Sequence, residues 1–452
     1  MHASSLPTLQ VSQRAMNQIS LLGDYFSQRS RDRKLATCHV MSFVDCFAGD
    51  NASLPLLRNA IDTVCLAHLA NKSAKVHLIH EAAASHTAVL SLLQRAISGG
   101  ALSQPSCSHR DTLASIFVAG LIPSVKTDGR TLTPAPSSMG VHFQGAMSYL
   151  EAHGPAALDV ANQSDRDLLQ HLRLHGMLRD LSRRKEVLWN KAEWRKLGVG
   201  PLAYIPERVV AGFVAPLPGL LERADKLVAN MFEPSMRWLS ECEDLITAMH
   251  QLQTCFVQPW SASTNCAKRQ LLDASRSTAL IRILGGCSVL RDSPFGPFYD
   301  FSNSCHAFCD AYVIVMSLVS DCTLLRLLCT IQMQDPRYSD SLVLQIVDVE
   351  FRAHAYATEL CRYTNFLISR SLPAVTFLVG ALGAACNFFR CFGALQESEW
   401  CDRMLVAVKS YLETLKLESP PTLCPGGDFI ASLPGACTYG SRASQYAVTG
   451  GA

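Results

Sequence analysis

Charge is scarce in this sequence. Asp, Glu, Lys and Arg make up 17% of 452 residues, against about 25% in a typical soluble domain. Lys plus Arg number 40 and Asp plus Glu 38, a formal net charge of +2. That balance excludes a polybasic nucleic-acid coat and an acidic solvating tail as descriptions of the whole chain. A surface so lean in charge suits cover by a partner better than solvent on every side. The opening residues, Met1 to Pro7, have no basic segment and no long apolar run, so no signal peptide is expected. The 18 Cys are then expected to stay reduced and to act mostly as small buried apolar residues.

No C-x2-C pair occurs among those cysteines. Structural zinc takes four converging ligands, usually from two such clusters. The nearest group, Cys305, His306 and Cys309, has no second cluster, and a core role is expected for it. His171 and His175 stand at i,i+4, but Leu172 and not Glu follows the first, unlike a thermolysin-type site. His77 and His80, at i,i+3 with Glu81 adjacent, read as helix-surface residues. There is no G-x-S-x-G elbow and no P-loop. Gly198-Val199-Gly200-Pro201-Leu202-Ala203 fits G-x-G-x-x-A, but it follows a helix, and Pro201 lacks an amide a phosphate would use. No catalytic residue, cofactor or metal is assigned from these patterns, and no stoichiometric structural zinc is expected.

What the sequence does have is helical periodicity. Val76, Ile79, Ala83, Leu90, Leu93 and Ile97, with His86 in the gap, step by threes and fours, one apolar stripe on a helix that Gly99-Gly100 stops. Leu57, Ile61, Val64, Cys65, His68 and Leu69 do the same, as do Trp238, Cys242, Leu245, Met249 and Leu252, and then Met404, Val408, Tyr411 and Leu415. Leu342–Val349 is rich in β-branched residues but runs on to Ser369 without a turn signal, which predicts helix. Leu372–Phe389 is almost wholly apolar and reaches the lower length limit of a membrane span. Its amphipathic neighbours favour a helix buried inside the protein. The expected fold is an all-α multi-helix array. Breaks fall at 122–140, read as an exposed loop, at 198–219 and at 285–297, all rich in Gly and Pro. The expected organisation is a partly flexible segment 1–40, one helical domain 41–417, and a disordered tail 418–452.

The densest basic stretch is 171–196, with Arg173, Arg179, Arg183, Arg184, Lys185, Lys191, Arg195 and Lys196 interleaved with Trp189, Trp194 and other apolar residues. It reads either as a phosphate or nuclear-import contact, with Arg183-Arg184-Lys185 the consecutive trio, or as the solvated face of an amphipathic helix. Arg29, Arg31, Arg33 and Lys34 make a weaker basic spot.

The order of segments over about residues 40–415 resembles the regulatory domain of fungal zinc-cluster transcription factors, the fungal-specific transcription factor family. The helix pair over 56–97 resembles that family's opening helices. Leu113-Ala114-Ser115-Ile116-Phe117-Val118-Ala119-Gly120 then leads to His142-Phe143-Gln144-Gly145-Ala146, Tyr149-Leu150 and His153-Gly154-Pro155, similar to the family's H-x-x-G-A…L-x-x-x-G-P stretch. Arg173 to Trp194 resembles its basic helix, Glu359-Leu360-Cys361-Arg362-Tyr363 its late E-I-C-R helix, and Pro373–Phe389 its buried penultimate helix. These motifs read as packing devices: Gly145 for close helix approach, Gly154-Pro155 to end one helix and set a turn. The family's six-Cys DNA-reading module is not in the first 40 residues, which hold only Cys38.

The resemblance implies a nuclear regulator or co-regulator, in keeping with a family that often controls biosynthetic gene clusters. Its partners would be other transcription factors or activator subunits, with a small-molecule effector and indirect DNA association as further expectations, and no membrane. The alternative is a biosynthetic enzyme or ligand-binding protein on the same fold, orienting a polyketide or terpenoid.

Overall fold

The computed structural model describes residues 54–73, 75–98, 108–120, 126–127, 130–131, 137–197, 215–231, 235–264, 269–272, 293–301, 304–334, 339–370 and 372–414. The basic spot at Arg29–Lys34, Cys38, the glycine pattern at 198–203 and the segment after Thr414 lie outside them, as do the side chains of His68, His171, His175, Cys305, His306 and Cys309.

Among the described residues the fold is all-α, with 13 helices. Two antiparallel ribbons of two and four residues per strand complete the regular structure. The described chain divides into two compact units at Gly176/Met177, with Leu412 to Thr414 grouped with the first. The division falls inside a helix, where no linker composition could announce it.

The first unit holds α1 (Pro55–Ser73), α2 (Val76–Ser98), α3 (His109–Gly120), the ribbon β1 (Lys126–Thr127) with β2 (Arg130–Thr131), α4 (Ser137–His153) and α5 (Gln163–Arg183) up to Gly176. α1 packs on α2 and α3, and α3 on α4. α3 is buried from Asp111 to Gly120, all round rather than on one face. The Asp111 carboxylate accepts the backbone N–H of Leu57 at 2.8 Å and of Leu56 at 3.3 Å. It thus satisfies two of the orphan amides that open α1. On α2 the buried residues are Ile79, Ala82, His86, Val89 and Leu93, whereas Val76 and Ile97 are exposed. Of the expected stripe, Ile79, His86 and Leu93 are buried. Ala83 and Leu90 are half-buried, with Ala82 and Val89 taking the inner positions, and both ends are exposed. The ribbon and the start of α4 at Ser137 replace part of the loop expected over 122–140.

Gly154 has φ +71° and follows α4, and Pro155 opens a short 3-10 turn over Pro155–Ala157. The expected turn is therefore there, with glycine where L residues are strained. Gly145 does not serve close approach. A Cβ there would meet only Ile116 Cγ2, at 3.9 Å, an ordinary contact.

The second unit contains α6 (Ala192–Lys196), α7 (Leu217–Ala229), α8 (Met236–Thr264), β3 (Arg269–Leu272) paired with β4 (Phe298–Phe301), α9 (Ser304–Gln334), α10 (Ser339–Arg362), α11 (Thr364–Arg370), α12 (Leu372–Cys391) and α13 (Leu395–Thr414) up to Tyr411. α9 is its axis, packed by α7, α8, α10 and α12. Leu342–Val349 is helical within α10 as the pattern predicts. That helix stops at Arg362, however, and Tyr363 turns the chain into α11. The Tyr363 hydroxyl bonds Asp310 on α9, a tertiary contact with no local sequence signal.

α12 is buried as expected: Phe377 to Cys386, Phe388 and Phe389 are all shielded. The longer apolar span is one the composition did not flag. Residues 310–334 of α9 are long and apolar enough to cross a membrane, yet 89% of the window is buried inside the protein. Each fully buried Leu, Val, Ile or Phe contributes about 1.5–3 kcal/mol, so packing against its own chain accounts for that composition.

Candidate functional site

The basic trio is not one stretch of helix. α5 ends at Arg183, and Arg184 takes φ +50°, the one positive value among described non-glycine residues. The chain then runs through Lys185–Val187 to a 3-10 turn over Leu188–Asn190. Arg183 and Lys185 are exposed, whereas Arg184 is largely buried. Its Nε donates to Asp225 Oδ2 at 2.7 Å and its Nη2 to Oδ1 at 3.0 Å, with Thr323 Oγ1 at 3.3 Å. Arg326 Nη1 donates to the same Asp225 at 2.6 Å. One carboxylate thus holds two guanidiniums, and this bidentate fork offsets the cost of a left-handed arginine. Arg184 is a fastener between α5, α7 and α9. Burial pushes the Arg173 guanidinium down to about 10, and Trp189 and Trp194 are buried edge to face at 5.6 Å. Of the trio, Arg183 and Lys185 alone face solvent.

The motif on α4 brings together residues that spacing could not join. Its His142 is half-buried, with Phe143, Ala146, Tyr149 and Leu150 in the core. Tyr149 lies one turn before His153 and stacks on it at 4.1 Å. His153 Nδ1 meets the Tyr149 carbonyl at 2.9 Å, and the Tyr149 hydroxyl meets Nδ1 of His109 at 2.8 Å. Arg110, next to His109, pairs with the buried Asp165. Burial, then the charge of His153, lowers the His109 pKa. Deeper in the unit, His86 is lowered by burial and then by His142, and His142 by burial. His86 Nε2 is buried with no hydrogen-bond partner. The i,i+4 pair Tyr149/His153 was visible in the sequence, but the partner His109, 40 residues from Tyr149, was not.

In the second unit Asp321 is wholly buried on α9. It accepts from Gln253 Nε2 at 2.7 Å and from Arg352 Nη2 at 3.1 Å. Burial raises its pKa against the opposing pull of Arg352 and Gln253. Cys361 and Cys401 bring their sulfurs to 3.5 Å in the core. The hydrogen bond with Cys361, then burial, pushes the Cys401 thiol well above its usual range. Burial pushes Cys65, Cys242 and Cys386 up to about 12. Such thiols are poor nucleophiles, in line with the apolar role expected of the cysteines.

Asp111, Asp225 and Asp321 thus act as fasteners between elements. Among the described residues no three His, Cys, Asp or Glu converge as metal ligands. Three exposed large apolar side chains among the described residues share one face of α10. Leu344, Val347 and Phe351, at i, i+3 and i+7 on α10, are 72%, 48% and 75% exposed. The opposite face of the same helix buries Leu342, Ile346, Val349, Ala353, Ala357 and Leu360. Comparison of the chain with family models, curated proteins and solved structures returns no match.

Proposed function

We propose that this chain is a fungal transcriptional regulator or co-regulator, of the zinc-cluster regulatory-domain type, serving a secondary-metabolite gene cluster and working in the nucleus through protein partners. The observation that carries the reading is the outer stripe of α10. Three large apolar side chains at helical spacing, exposed on a folded surface, fit the groove of a partner helix and do no chemistry. The buried and paired state of most other reactive groups points the same way. The order of helices named above supports the family, with α4 closing at Gly154-Pro155 and α10 carrying Glu359 to Arg362.

The partner that suits the stripe is an apolar helical segment of an activator subunit. DNA association is indirect, through that partner, and a small effector is a further ligand of the same domain. Arg183 and Lys185 are the exposed pair for an import receptor or phosphate contact.

A deletion strain tests the reading. Loss of the cluster's transcripts supports it. Normal transcripts with one accumulating intermediate would instead make the chain a biosynthetic enzyme on the same fold. Within the regulator reading, full-length chain carrying Leu344→Ser, Val347→Ser and Phe351→Ser should remain folded and fail to restore the transcripts.

A further inference from the structure

The histidine pairs that spacing brings out each lie on one helix. The fold makes another pair that spacing does not show. His109, the first residue of α3, and His153, the last of α4, have ring centroids 4.8 Å apart and planes at 58°. Both rings are held through Nδ1, and Tyr149 holds both. Its carbonyl faces His153 Nδ1 at 2.9 Å and its hydroxyl faces His109 Nδ1 at 2.8 Å. A carbonyl only accepts, so His153 carries its proton on Nδ1 and its lone pair on Nε2. A hydroxyl accepts as readily as it donates, so His109 takes the same tautomer whenever its Nε2 is needed. Neither Nε2 has a hydrogen-bond partner among the described residues.

This is the support that metal-binding imidazoles receive: the remote N–H goes to a fixed acceptor, which sets the tautomer and orients the ring. The separation fits as well. Two imidazoles bound at about 2.1 Å to one ion, at angles between square and tetrahedral, place their centroids roughly 4.5–5.2 Å apart.

We propose that His109 and His153 form a two-histidine site for a divalent transition ion of the zinc, copper or nickel class, bound through both Nε2 atoms with water completing its shell. Imidazole donors select that class over magnesium and calcium. His153 is exposed and His109 half-buried, which gives the ion an entry path. Two protein ligands make an exchangeable site rather than a structural one, with Kd on the order of 1–100 μM. The site is independent of the regulatory reading above.

Titration of the full-length, metal-free chain with Cu2+, read by electron paramagnetic resonance, tests this directly. The tightest site should show two imidazole nitrogens. His109→Ala or His153→Ala should leave one nitrogen and weaken binding at least 10-fold. Tyr149→Phe keeps the carbonyl and the stack but removes the hydroxyl acceptor, and should weaken binding about 10-fold. His77→Ala with His80→Ala should leave the site unchanged. His153 is exposed, so His153→Ala carries the test even if His109→Ala does not fold. Full retention of the two-nitrogen signal in His153→Ala would overturn the proposal. Its loss in the His77/His80 variant, or a wild-type chain with no site tighter than millimolar, would do the same.

Discussion

His86 stands in the buried face of α2 with an unpartnered ring nitrogen, and its pKa is lowered, as is that of His142. In the unfolded chain both return to about 6.5. For a base whose folded pKa is depressed, the contribution to stability is present above the unfolded value and is lost as pH falls through the folded one. Melting temperature should therefore drop as pH is lowered from 7.5 to 5.5, and His86→Leu should flatten that drop in a calorimetric series. The Arg352–Asp321 pair is asymmetric in a comparable way. Removing Arg352 strands a carboxylate that has no exposed surface, and Arg352→Ala should cost about 3–5 kcal/mol by denaturant unfolding. Asp321→Ala leaves a guanidinium that is 29% exposed and still paired with Asp348, so its cost should be smaller. Asp321 has a raised pKa and loses its charge on acidification. The gap between Arg352→Ala and wild type should accordingly narrow at low pH.

Helix ends and faces give sharper contrasts than helix interiors. Gly154→Ala puts a side chain at φ +71° with nothing within 4 Å to support it, and should cost roughly 1 kcal/mol. Gly145→Ala gains helix propensity of about 1 kcal/mol, and its Cβ finds an ordinary contact, so it should be neutral or stabilising. Thermal unfolding of the two variants decides between them. On α10, Leu360→Ala should cost about 2–5 kcal/mol, whereas Phe351→Ala, on the outer face, should stay within about 0.5 kcal/mol. Helices of this kind were legible because a stripe such as Trp238, Cys242, Leu245, Met249 and Leu252 repeats the helical period and is buried throughout. Their ends were less so. The stop at Arg183 depends on Asp225, and the stop at Arg362 on Asp310. Both partners are remote in sequence, and periodicity carries no record of them. The same limit hid His109 from His153, and hid the Asp111 carboxylate from the start of α1.

At the scale of the molecule, burial is concentrated in a few long helices, and one of them has a consequence for biosynthesis. α9 is complete at Gln334, but α12, which helps to cover it, is complete only at Cys391. At about 5–20 residues per second, a ribosome takes several seconds to make the difference. During that interval a 25-residue apolar helix with the composition of a membrane span has only the earlier helices and α10 to shield it. A nascent chain in this state presents what targeting factors and chaperones are built to capture. A chain stopped after Arg370 should therefore be recovered bound to chaperone or membrane, while the full chain is released. Made in this order, the chain should need cover from such factors until its own last helices take over.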